Sequence, residues 1–248
     1  MDRLADELET SLRRIGTSTR AEGEKAYLKS DLAFTGTLVS ATRAEVQRLD
    51  RQLGLDHERL VELVAALWSK PVFERRLAAI MFLQRHPKLL SVTDMPILEG
   101  MARESRTWAL LDYLAVDVLG RLVEADPDGM TSVMDAWATD DDFWIRRASL
   151  LAELRPIRRG AGLDRFLARA EPMLEEREFF IRKAIGWVLR EAGKRRPDDV
   201  FAWLAPRTHR ASGVTMREAV KYLPASASAA LMLGYREKRP AEGYLGTG

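Results

Sequence analysis

Cysteine is absent from the 248-residue chain, which excludes disulfides, thiolate metal sites and cysteine nucleophiles. Histidine is scarce: His57, His86 and His209 are scattered, and no two share a helical turn as a zinc-binding pair would. No cofactor and no metal is implied. Long apolar runs are missing as well. The longest stretch without a charged residue, Tyr222 to Tyr235, contains Pro224 and several serines and alanines, and is too short and too polar to cross a bilayer. The first residues, MDRLADELETSLRRIG, form an amphipathic, acid-containing helix pattern without the apolar core of a signal peptide. The expectation is a soluble, cytoplasmic protein with no membrane partner.

A large net charge is also missing, since 39 Lys/Arg against 37 Asp/Glu leave a formal net charge of only +2. Its distribution is uneven. Between Asp142 and Arg210 there are 16 Lys/Arg against 10 Asp/Glu, while the remainder carries 23 basic and 27 acidic residues. A basic stretch beside a neutral-to-acidic remainder is the asymmetry that a polyanion-binding surface needs. Arginine-rich solvated helices would produce it equally.

What the sequence does have is helical periodicity, with almost no two-residue alternation. Helices are expected over 2–15, 20–29, 41–53, 56–69, 72–86, 94–104, 107–124, 128–138, 141–154, 162–175, 177–194, 197–204 and 214–222. Breaks fall at KPV, RHP, ADPDG, RPIRRGAG and KRRPDD, which carry the usual proline and glycine punctuation. Three segments starting near residues 68, 141 and 177 share a plan: a polar start, an aromatic, a basic pair, then small and aliphatic residues. Their spacing suits HEAT-type helical hairpins, so an all-α solenoid is the expected architecture, with a compact helical bundle as the alternative. One domain is expected over 1–235, followed by a poorly ordered tail over 236–248.

Four stretches carry residues able to do chemistry. In EFFIRKAIGWVLREAGK, Lys183, Trp187, Arg190 and Lys194 fall on one helical stripe, opposite Phe180, Ile181, Ala184, Ile185, Val188 and Leu189. Cations around an indole suit phosphate and sugar contacts, or a solvated basic face with a half-buried tryptophan. Gly186 suits close approach of a ligand or tight helix packing. In DDFWIRRASLL, Trp144 and Arg147 share a face, and one of Arg146 and Arg147 is expected to face inward with the other solvated. In TWALLDYLAVDVLG, Asp112 lies one turn after Trp108 beside the apolar stripe Leu111, Leu114, Val118 and Leu122. Asp112 is there either as the salt-bridge partner of a neighbouring arginine or as a chemical group. Asp117 lies off that face. In EKAYLKSDLAFTGTLVSATR, Tyr27 and Phe34 flank a break between two helices.

Together these stretches resemble the AlkD-like family of HEAT-like-repeat DNA glycosylases, which remove alkylated purines. The resemblance rests on YLKSDLAFTG, TWALLD, FWIRRA, EFFIRKAIGWVLREAGK and REAVKYLP, in the family's order and over most of residues 20 to 224. It implies a right-handed α-solenoid of helical-hairpin repeats with a concave DNA-binding surface. It implies that Asp112 is the catalytic carboxylate, with Trp108 and Trp187 as the DNA-facing tryptophans. Arg147, Tyr27, Lys183, Arg190 and Lys194 are expected to contact DNA. Leu38, also expected at the DNA, stands where well-known members carry a glutamine, and Ser40 where a proline is common, which suggests either a more apolar, bulkier lesion or a different opposite-strand contact. The implied protein is a monomeric, monofunctional enzyme acting on duplex DNA that contains N3- or N7-alkylated purines. Some members protect producers of DNA-alkylating antibiotics. Two alternatives stand beside this one: a non-catalytic repeat protein that binds damaged or branched DNA, and a protein-binding helical repeat.

Overall fold

The computed structural model describes residues 1–242. The described residues form helices joined by turns and loops, with no strand and a single parallel bridge between Ala33 and Val72. No helix among them is long and apolar enough to cross a membrane. The expected all-α class is therefore the one observed, and sequence-adjacent helices pair in the manner of helical-hairpin repeats. The chain divides into two compact units, Met1–Val118 and the residues from Leu119 onward.

The first unit contains α1 (Asp2–Ile15), α2 (Ser18–Leu28), α3 (Val39–Leu53), α4 (His57–Trp68), α5 (Phe73–Arg85), α6 (Met95–Ser105) and α7 (Trp108–Tyr113). Helix α5 is its centre, because α1, α3, α4 and α7 all pack on it and every residue from Phe73 to Leu83 is buried. Three of those residues are charged, and burial requires each to find partners. The Arg75 guanidinium bonds the carbonyls of Ala66 (2.7 Å) and Leu67 (3.1 Å) near the end of α4, and Asp6 (2.6 Å) and Glu9 (3.0 Å) on α1. Glu74 accepts the backbone N–H groups of Thr35 (2.8 Å), Gly36 (2.7 Å) and Thr37 (3.1 Å). That carboxylate fixes the loop that ends at Leu38, and Phe34 stacks on Phe73 at 5.0 Å to hold the loop from its other side. Gly36 has φ +74°, and a Cβ there would lie 2.0 Å from the Thr17 carbonyl oxygen, so only glycine fits. Helix α2 differs from its neighbours in burying no residue at all.

The second unit contains α8 (Gly120–Ala125), α9 (Pro127–Ala138), α10 (Phe143–Leu151), α11 (Leu154–Arg158), α12 (Leu163–Met173), α13 (Phe179–Gly193), α14 (Pro197–Leu204), α15 (Gly213–Ala219) and α16 (Ala225–Glu237). Its centre is α13, which packs on α10, α11, α12, α14 and, most extensively, α15. Gly186 permits that last contact, since a Cβ there would stand 2.7 Å from the Glu218 Cβ and 3.0 Å from the Thr215 carbonyl oxygen. Tight helix packing is thus the reason for Gly186. Buried Glu153 ties α12 down through Arg165 (3.0 Å) and Arg169 (2.6 Å).

Three expected elements come out differently. The helix expected over 107–124 contains a π-helical turn at Leu114–Leu119, directly after α7. Such turns carry one extra residue, and uniform 3.6-residue periodicity cannot reveal them. The helix expected over 141–154 ends at Leu151, and the chain re-enters a helix at Leu154, with Pro156 in the new first turn where no N–H is needed. Helix α16 was not expected, because ASASAALMLGYRE has only a short apolar stripe, of which Ala227, Leu231 and Gly234 are buried. Within the segment expected as a tail, α16 continues to Glu237, the Arg239 carbonyl accepts the Thr208 hydroxyl, and the Ala241 N–H donates to Ala205 at 2.7 Å. The rest of that segment, 243–248, lies outside the described residues.

Candidate functional site

In the first unit Tyr27 and Trp108 meet at the start of α7, with Asp112 one turn further on. Thr107 caps the helix, its hydroxyl accepting the Ala109 N–H at 3.4 Å, and Trp108 is the first helical residue. Leu110 and Leu111 are fully buried, which anchors α7 and turns Trp108 and Asp112 toward the opposite side. Trp108 is 36 % exposed and Asp112 is half-buried, one turn further on. Tyr27, in the last turn of α2, meets the Trp108 ring edge-on with centroids 6.3 Å apart and planes at 84°. Tyr27 is itself 75 % exposed. Large aromatic rings that touch each other and still face solvent form a surface able to receive a planar or apolar ligand group. Leu38 caps α3 and is half-exposed, with the Glu74-bonded loop holding its backbone. Asp117 accepts a hydrogen bond from Gln84 at 3.2 Å, the structural role its position suggests.

In the second unit α13 presents the expected stripe. Ile181, Ala184, Ile185, Val188 and Leu189 are fully buried, while Lys183, Trp187, Arg190 and Lys194 lie on the open side. Trp187 is half-buried and makes no hydrogen bond or ring contact among the described residues. The cations are not bare. The Lys183 ammonium lies 2.6 Å from Glu218 Oε1, Lys221 approaches the same oxygen at 2.9 Å, and Arg190 bonds Oε2. Lys194 pairs with Glu191 at 2.9 Å and covers the Tyr222 ring at 4.6 Å. Burial raises the Glu218 carboxyl, but the bonds from Lys183 and Lys221 and the charges of Lys183 and Arg190 prevail and hold it at about 2. Glu191 is likewise raised by burial and brought below the ordinary carboxylate range by its bonds to Lys194 and Arg158.

The remaining expectations fare differently. Phe180 is not a buried core residue: it is half-buried and joins Phe143, Trp144 and Phe179 in an aromatic cluster at the starts of α10 and α13, with its ring 4.9 Å from Trp144. Arg147 is 3 % exposed, donates Nη1 to the Phe180 carbonyl at 2.5 Å and lies 5.8 Å from its ring. Arg146 is not solvated, because Glu176 (2.8 Å) and the carbonyl of Asp140 (2.5 Å) hold it. Arg146 thus bridges the turn before α10 to the turn before α13, and Arg147 ties α10 to the start of α13. The sequence does not single out Glu218 and Lys221. Only their own spacing of three is visible in it, since the partners Lys183 and Arg190 come from another helix. Among the described residues no group of His, Asp or Glu is arranged to hold a metal ion.

A model of the family described as DNA alkylation repair enzyme matches residues 8–223. Among solved structures, the chain is similar to a predicted DNA alkylation repair enzyme from Enterococcus faecalis, at 22 % identity and a TM-score of 0.77, covering 85 % of this chain and 97 % of that one. It is also similar to AlkD2 from Streptococcus mutans, at 16 % identity and a TM-score of 0.61, covering 83 % and 100 %. A third similar structure is smu.31 from Streptococcus mutans UA159, at 16 % identity and a TM-score of 0.57, covering 74 % and 100 %. At these identities the likeness is one of fold. A comparison with curated protein sequences finds no match.

Proposed function

Since the chain belongs to the DNA alkylation repair enzyme family, we propose that it is a monofunctional glycosylase releasing cationic N3- or N7-alkylated purines from duplex DNA, with Asp112 as its catalytic carboxylate. The observation that carries this reading is the start of α7. There a half-buried carboxylate sits one turn from an exposed tryptophan, whose ring is met by a second exposed aromatic, Tyr27.

Alkylation at N3 or N7 makes the purine cationic, so the base departs without a proton from a general acid. A single carboxylate is then sufficient. The C1′–N9 bond breaks with its electron pair going to the base, which becomes neutral, and the sugar acquires oxocarbenium character. Asp112 stabilises that positive charge and orients a water whose oxygen adds to C1′, the proton passing to the carboxylate or to solvent. The Trp108 face stabilises the same developing charge, and Trp187 acts as a second DNA-facing ring. Tyr27 and Leu38 contact the duplex through apolar surface. Lys183, Arg190 and Lys194 face phosphates. Arg147, anchored at the Phe180 carbonyl, is the α10 cation assigned to a phosphate. No lysine adjoins Asp112 in sequence to form a Schiff base, so the product is an abasic site. An exposed Leu38 favours apolar, bulkier adducts, including those left by DNA-alkylating natural products. The protein acts as a monomer in the cytoplasm.

The test is Asp112→Asn on duplex containing an N7- or N3-alkylpurine. Duplex affinity is expected within about threefold of wild type, with base release reduced at least about a hundredfold. Release at the wild-type rate refutes the assigned role of Asp112. A wild-type protein that binds the duplex but releases no base points to the non-catalytic DNA-binding reading. Comparing methyl with bulky adducts tests the role given to Leu38.

A further inference from the structure

We infer that Glu218 is a built-in stand-in for a DNA phosphate: Lys183, Arg190 and Lys221 form a phosphate site that this carboxylate occupies until a phosphodiester displaces it. The inference rests on the DNA-binding reading of α13 and adds to it a site, a new cation in Lys221 and a competing anion.

The geometry is that of a held oxyanion. Oε1 of Glu218 takes Lys183 at 2.6 Å and Lys221 at 2.9 Å, while Oε2 takes Arg190. Three cations around one carboxylate leave two positive charges uncompensated by it. The carboxylate side chain is 9 % exposed, whereas Lys183 and Lys221 keep 41 % and 48 % of their side chains in solvent. The acid is therefore seated inside and the cations open outward. Its backbone is fixed, because α15 lies against Gly186 too closely for a Cβ to intervene. Only the side chain can yield. A phosphodiester arriving from solvent meets donors already gathered at one point, and two anions cannot share them without mutual repulsion. Glu218 thus opposes the binding of any duplex at this site, damaged or not. Lysine and arginine side chains left unpaired would instead bind undamaged DNA through phosphate contacts alone. The other acid on this face, Glu191, is directed at Lys194 and Arg158, and its nearest Arg190 contact is 3.9 Å.

The experiment is a titration of a fluorescent undamaged duplex with the full chain over a range of KCl, comparing wild type with Glu218→Gln, Glu218→Asp and Lys221→Gln. In wild type the displaced carboxylate gathers a cation from solution and offsets the counterion released at the phosphate; without it the slope of log K against log[salt] steepens by about 0.9, which near 0.1 M salt corresponds to about eightfold tighter binding. Glu218→Gln is expected to show both changes, and Glu218→Asp, which keeps the charge, to stay close to wild type. Lys221→Gln, at an exposed position, is expected to make the slope shallower by about the same amount. Unchanged or weaker binding by a folded Glu218→Gln overturns the inference. If that variant does not fold, an unchanged slope in Lys221→Gln overturns it. A wild type with no duplex affinity at low salt overturns the DNA-binding reading itself, a result separable from both.

Discussion

Asp112 and Glu218 are both carboxylates on helices. Asp112 sits half-buried one turn from an exposed indole, and Glu218 is held by Lys183, Arg190 and Lys221. Glu218 has a carboxyl held at about 2 instead of 4.5, so its contribution to stability is fully present above pH 4.5 and is lost as pH falls toward 2. Over that window Glu218→Gln is expected to flatten the acid limb of a urea-unfolding series. After discount for solvent screening, the difference is on the order of 1–2 kcal/mol. An unaltered acid limb in that variant would show that the cations do not hold the carboxylate in solution. Glu74 gives a stronger case of the same kind. It is fully buried and serves three backbone donors, so Glu74→Ala is expected to cost about 3 kcal/mol or more by leaving them unpaired. Urea denaturation measures this directly.

At the scale of elements, glycine has opposite meanings in two helices. Gly186 on α13 faces the backbone of α15, and neither the Thr215 carbonyl nor the Glu218 Cβ can withdraw. Gly186→Ala is therefore expected to destabilise by about 1–3 kcal/mol, even though alanine improves helix propensity by about 1 kcal/mol. A Cβ added at Gly23 on α2 would meet nothing within 4 Å, so Gly23→Ala is expected to stabilise by up to about 1 kcal/mol. Chemical denaturation of the two variants decides between packing and propensity at each site. The absence of any buried residue in α2 also means that Tyr27 reaches Trp108 from an element with little packing of its own. Elements of this kind open locally at low cost. The amides of α2 are expected to exchange faster than those of α5 in hydrogen-exchange measurements.

For the molecule as a whole, the excess of basic residues between Asp142 and Arg210 overstates the positive surface. Glu171 pairs with Arg207 and Arg210, Glu176 with Arg146, Glu191 with Arg158 and Lys194, and Glu153 with Arg165 and Arg169. On α13 and the turn that follows α15, Lys183, Arg190 and Lys221 share the single carboxylate of Glu218, so positive charge is in excess there. Two or three phosphate contacts there predict that duplex affinity falls by more than about tenfold between roughly 50 and 200 mM salt. A salt-independent affinity would mean that phosphates are not what these cations meet.

The sequence by itself determined the all-α class, most helix positions, the buried and open faces of α13, and the one-turn spacing of Trp108 and Asp112. Each of these depends on contacts within one turn of helix or on a periodic apolar stripe, and both are local properties of the chain. Pairing across elements was decided by the tertiary structure alone. The position of Arg147 in FWIRRA did not show that its guanidinium reaches the Phe180 carbonyl, 33 residues further along the chain. Glu218 resembled an ordinary helical acid, and α15 carried it into the middle of a cationic stripe on α13. The π-helical turn after Asp112 was likewise invisible, because an inserted residue shifts the phase of a helix without altering its composition. Charges acquire their meaning from partners far away in the chain, and the sequence named the cations without showing which of them was already answered.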